Sequence, residues 1–155
     1  MKIEKLTFDG TPEEFKEVAH IFAGQAGVAL VGPAPVAEDA SPEAIRAFIR
    51  RLLTRRHIPN GQLAIFQALY KAGDQGLTRA ELAAATQRTE KKIDGVMGAL
   101  GRRINNTRGI RQVQPGGGTG VLFEWRAVGN EMRYIMRPEL RQVLEEMKIV
   151  PSPAA

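Results

Sequence analysis

Cysteine is absent from the chain, which excludes disulfides, thiolate metal sites, cysteine nucleophiles and iron–sulfur clusters together. Aromatic residues make up 6% of the composition, too few to favour the stacking platforms that hold single-stranded nucleic acid. Apolar runs such as Val28–Val31 fall far short of the ~20 residues a membrane span requires. No apolar h-region follows Met1-Lys2-Ile3-Glu4-Lys5, so no secretory signal is read and the cytoplasm is the expected compartment. Histidine is scarce, and His20 and His57 stand apart without metal-ligand spacing. Serine occurs only at Ser41, which reads as a helix cap, and at Ser152 near the end of the chain. The glycine-rich stretch Gly116–Gly120 is not followed by the Gly-Lys-Ser/Thr of a phosphate loop. Glu14-Phe15-Lys16 and Glu146-Met147-Lys148 have the ExK spacing of some metal-dependent nucleases, but both lie in helical patterns without a supporting Asp cluster. The expectation is therefore a non-enzymatic protein without metal or cofactor.

What is present suits one soluble globular domain with an appendage. The chain has 155 residues, 43% hydrophobic and 25% charged, with a net charge of +5. That excess is moderate, so its distribution matters more than its size.

Residues 1–24 read as a strand–helix unit: Ile3, Leu6 and Phe8 alternate imperfectly with charges, then Phe15, Val18, Ala19 and Phe22 share a helical face. A lone strand needs a partner, either the sheet of the C-terminal hairpin or the same strand of a second copy; the second copy is the one expected, which makes this unit the expected dimerisation element. Residues 25–40 form an Ala/Gly/Pro/Val-rich linker. From residue 41 to 150 the chain reads as a domain of closely spaced helices and a hairpin. Ser41-Pro42-Glu43 opens a helix with an apolar stripe of Ile45, Phe48, Ile49, Leu52 and Leu53. Its other face carries Arg46, Arg50, Arg51, Arg55 and Arg56 with no carboxylate between them. Leu63–Lys71 is apolar on most sides, as in a central buried helix. Thr78 and Glu81 form a capping box with a Leu77/Leu82 staple, opening a short helix that ends near Ala85. A longer helix runs from about Thr89 to Asn105. Ile110–Gln114 and Val121–Val128 read as strands flanking a glycine-rich tip, Pro115–Gly120. Gly129-Asn130 is a second tight turn. Arg137-Pro138-Glu139 opens the last helix, and residues 151–155 form a tail.

The order short helix, turn, helix, then hairpin resembles the winged helix-turn-helix family over Asn60–Met136. Leu82, Ile93 and Val96 match the motif's buried positions and Ala83 its small one. The turn position that many members fill with glycine is Gln87 here. The resemblance implies an α+β fold that is mainly helical with a small sheet, and duplex DNA as a partner in transcriptional regulation or as an accessory factor. It also implies a homodimer reading two half-sites. The alternative within the same fold is an adaptor that docks onto protein through the N-terminal unit or the Arg46–Arg56 helix.

Charge placement sharpens this. The window Arg88–Arg111 has a net charge of +5, equal to that of the whole chain, while Met1–Gly24 is net acidic. Phosphate binding uses such a concentration of fixed positive charge. On the Thr89–Asn105 helix, Arg102 lies opposite the apolar stripe with Lys91, Gly95, Gly98 and Asn106 near it. Two glycines on one exposed helical face suggest close approach to a DNA backbone, or else close packing against a neighbouring element. The expected DNA contacts are Arg88, Lys91, Lys92, Arg102, Arg103 and Asn106, with Arg108 and Arg111 at the base of the wing and Arg126 on its second strand. Phe123 and Trp125 are expected to pack rather than stack on bases.

Overall fold

The computed structural model describes residues 40–151. The N-terminal strand–helix unit, all but the last residue of the linker and all but the first of the tail lie outside the described residues. The first described helix, α1 (Pro42–Thr54), begins as its cap-then-proline start requires: the Ser41 hydroxyl accepts from the Ala44 N–H at 3.1 Å. Four members of its apolar stripe, Phe48, Ile49, Leu52 and Leu53, are buried.

Helix α2 (Asn60–Ala72) is central, with Ile65, Phe66 and Leu69 at 0% exposure. A 3₁₀ turn over Gly73–Gln75 leads to Gly76, whose φ is +63°. A Cβ at Gly76 would collide with the carbonyl oxygen of Tyr134, so glycine is needed there both for the left-handed backbone and for the close approach. That approach seats a two-residue strand, β1 (Leu77–Thr78), which lacks enough alternation to be legible in the sequence. Thr78 ends β1 and also caps α3 (Arg79–Ala85): its hydroxyl accepts from the Glu81 N–H at 3.2 Å, and the Glu81 carboxylate accepts from the Thr78 N–H at 2.9 Å. The capping box read from the sequence is therefore formed in full.

The turn into α4 (Glu90–Asn105) places Gln87 at φ +54°, the left-handed conformation that glycine supplies at this position elsewhere. Thr89 caps α4 through the Lys92 N–H, and Ile93, Leu100 and Ile104 are buried. Gly61 of α2 lets the two helices approach, since a Cβ there would lie 2.9 Å from a methyl of Val96.

The hairpin is not where the sequence pattern put it. Ile110–Gln114 is no strand: Ile110–Val113 is a single helical turn, α5. Ile110 and Val113, three apart, are the buried pair, whereas a strand would have set Ile110, Gln112 and Gln114 on one face. The stretch Pro115–Gly120 is a loop folded back on the end of α4, where the Gly118 N–H donates to Asn105 Oδ1 at 2.7 Å. After a 3₁₀ turn (Thr119–Val121), the hairpin is β2 (Phe123–Val128) and β3 (Glu131–Met136), turning at Gly129-Asn130. Gly129 has φ +61°, as the first central residue of a type II′ turn requires.

The sheet is antiparallel in the order β1-β3-β2, with Leu77 opposite Tyr134 and Trp125 opposite Tyr134 on the other side. Phe123 turns inward onto Phe66, their ring centroids 6.3 Å apart. The last helix, α6 (Pro138–Glu146), buries Leu140, Val143 and Leu144. Polar clamps hold it to its neighbours. The Arg50 guanidinium donates to Glu146 at 2.9 Å, and the Tyr70 hydroxyl donates to Glu145 at 2.7 Å. The Arg141 guanidinium lies 4.7 Å from the Tyr70 ring centroid. The described chain is mainly helical with one small, open, three-stranded sheet.

Candidate nucleic-acid interface

At 3.6 residues per turn, the outward face of α4 runs through Lys91, Gly95, Gly98, Arg102 and Asn106. All five are exposed. Lys91 and Arg102 have no side-chain hydrogen bond or ion pair among the described residues, and neither does Lys92 on the flank. The acidic residues of this helix lie elsewhere: Glu90 and Asp94 both bind Arg79 of α3, with Arg79 Nη1 at 3.2 Å from Asp94. A Cβ built at Gly95 would have nothing within 4 Å, and one at Gly98 only the Arg102 guanidinium at 3.8 Å. Packing against another described element therefore does not explain these glycines.

The arginine run of α1 separates into two sets. Arg46 and Arg50 are neutralised by Glu43 and Glu146, and Arg46 also donates to Gln142. The two guanidiniums hold the Glu43 carboxyl below its usual range by hydrogen bonding, Arg46 more than Arg50. The expected carboxylate-free face is thus corrected at this end, because the sequence pattern counted only residues between the arginines. Arg51 donates to the Arg108 carbonyl at 2.8 Å. Arg55 and Arg56, at the C-terminal end of α1, instead join the end of α4.

There Arg55, Arg56, Arg102 and Arg103, with Gln62 and Asn106, border an open hollow of about 350 Å³. No carboxylate lines it. Arg103 is the fixed member. It donates to the carbonyls of Leu52 at 3.0 Å, Arg56 at 2.6 Å and His57 at 3.1 Å, closing the end of α1. A cation there complements the negative end of the helix dipole. Burial lowers the Arg103 pKa, and the charges of Arg55 and Arg56 lower it further. No carboxylate lining the hollow offsets this crowding of like charges.

The structure disperses the other expected contacts. Arg88 is half-buried and donates to the Thr86 carbonyl at 3.1 Å. Arg108 is exposed just beyond α4, and Arg111 on α5 donates to the Pro115 carbonyl at 2.6 Å. Neither stands at the base of the hairpin, since the strand expected there is α5. Arg126 lies on the first hairpin strand rather than the second, directly opposite Arg133. Trp125 is 55% exposed, so it is not the packing residue expected; its ring meets Tyr134 edge-on at 6.3 Å. What sequence reasoning did not assemble is the union of Arg55 and Arg56 with Arg102 across 46 residues of chain.

Among the described residues no group of three or more His, Asp or Glu side chains is arranged to hold a metal. No described helix is long and apolar enough to cross a membrane. Comparison with protein-family models, with curated proteins and with solved structures returned no match.

Proposed function

We propose that this chain is a non-enzymatic duplex-DNA-binding protein of the winged helix-turn-helix type, acting in transcriptional regulation or as a DNA-binding accessory factor. The observation that carries the reading is the outward face of α4, whose cations are unpaired among the described residues and continue into the Arg55/Arg56 cluster. The element order also supports it: the short helix α3, a turn, the longer helix α4 and, after the single turn α5, the β2/β3 hairpin follow the order on which the resemblance rests. In this reading α4 enters the major groove, and its bare Gly95 and Gly98 let the helix backbone come close to the duplex. Lys91, Lys92 and Arg102 neutralise phosphates along it, with Asn106 at its end. Arg55 and Arg56 extend the contact to a flanking phosphate. Arg103 holds the α1 end in place beneath them.

Fluorescence anisotropy with a mixed-sequence duplex across a salt series tests this. Affinity should fall linearly on a log–log plot, and Arg102→Glu should weaken binding strongly while leaving the thermal midpoint unchanged. Neutralising each phosphate contact should reduce the slope by about one unit. Absence of duplex binding even at ~50 mM salt, where the electrostatic term is strong, would favour a protein-docking adaptor instead.

A further inference from the structure

Strand β2 is the edge of the sheet, with β3 on one side and no strand on the other among the described residues. Such an edge presents a row of unpaired N–H and C=O groups to another chain, and proteins commonly blunt it with proline, a bulge or short length. This one runs unbroken through Phe123–Val128, free of proline and glycine, with every residue after Phe123 exposed. Trp125 and Val128 on it, and Met132 beside it on β3, are the large hydrophobic side chains left most exposed among the described residues.

We propose that β2 pairs antiparallel with β2 of a second copy of this chain, about a two-fold axis at Trp125, joining two sheets into one. The strand is self-complementary in that register. Glu124 lies opposite Arg126 of the partner subunit, and Arg126 opposite Glu124 of the partner subunit, giving two ion pairs on one face. On the other face Trp125 meets its own counterpart and Phe123 lies opposite Ala127. Moving the axis to Glu124 or to Arg126 sets like charges opposite one another, and side-chain alternation forbids a one-residue slip. Neither Glu124 nor Arg126 forms an ion pair among the described residues. Arg126 instead faces Arg133, whose own carboxylate partner is Glu81 at 2.7 Å. A carboxylate arriving from a second copy relieves that like-charge contact.

Sedimentation velocity of the full chain without nucleic acid, across a concentration series, tests the pairing independently of duplex binding. The wild type should dimerise reversibly. Glu124→Arg and Arg126→Glu should each weaken the dimer by ~10-fold or more, since each sets two like-charged pairs opposite one another. Mixing the two variants should restore association, because every pair is then of opposite sign, and so should the double reversal Glu124→Arg/Arg126→Glu. Circular dichroism should show all variants folded. A monomeric wild type, a dimer indifferent to both reversals, or a mixture that fails to associate would each overturn the proposal.

Discussion

Gln87 holds a left-handed backbone, φ +54°, at the turn between α3 and α4. The turn is closed by the Gln87 N–H to the Ala84 carbonyl at 3.1 Å and the Arg88 N–H to the Ala83 carbonyl at 2.9 Å. A side chain in this conformation costs roughly 1–2 kcal/mol, part of which glycine would return as greater freedom of the unfolded chain. Gln87→Gly should therefore raise stability by about 0.5 kcal/mol in urea unfolding. Gly76 is the opposite case, since its Cβ position is occupied by β3. Gly76→Ala should destabilise by more than ~2 kcal/mol, because left-handed strain and a backbone collision add. Thr78 is 6% exposed and shares its cap with Glu81; Thr78→Ala should cost about 1 kcal/mol.

Helix α4 poses the question of its glycines. In a helix interior each costs ~1 kcal/mol relative to alanine; an added methyl finds open space at Gly95 and only ordinary contact with the Arg102 guanidinium, at 3.8 Å, at Gly98. Gly95→Ala and Gly98→Ala should each stabilise by up to ~1 kcal/mol, read as a raised midpoint of chemical unfolding. Had these glycines served internal packing, both substitutions would be destabilising. A larger side chain, Gly98→Leu, should leave the fold intact and, in the proposed duplex complex, lower affinity by standing between α4 and the groove.

Across the molecule, ion pairs join segments distant in sequence. Arg50 bridges Glu43 on its own helix and Glu146 on α6. Because the folded-state pKa of Glu43 is lowered, its contribution is present above its unfolded pKa. It is lost as pH falls from near the ordinary 4.5 through the lowered value. Thermal melts on the acid side should accordingly show a smaller stability drop for Glu43→Gln than for the wild type. The drop should be screened by salt, since these groups are exposed.

Much of the domain was legible because its signals are local. Ser41-Pro42 and the Thr78/Glu81 box mark helix starts through hydrogen bonds spanning three residues, and Ile93, Val96, Met97, Leu100 and Ile104 mark the inward face of α4 by period alone, three of them buried and Val96 and Met97 partly so. The outward position of Lys91 and Arg102 followed from the same period. The sequence pattern of Ile110–Gln114 reads as a strand, but so few residues fit either period there that the burial of Ile110 with Val113 decides for a helical turn. Nor could it find β1, whose two residues become a strand only because Gly76 admits β3. The fates of the arginines in α1 were likewise tertiary. Arg46, Arg50, Arg55 and Arg56 look equivalent along the helix, yet the first two meet Glu43 and Glu146 while the last two meet Arg102 and Arg103. Helical period sets which way a charge points; only the packing of distant elements sets what it faces.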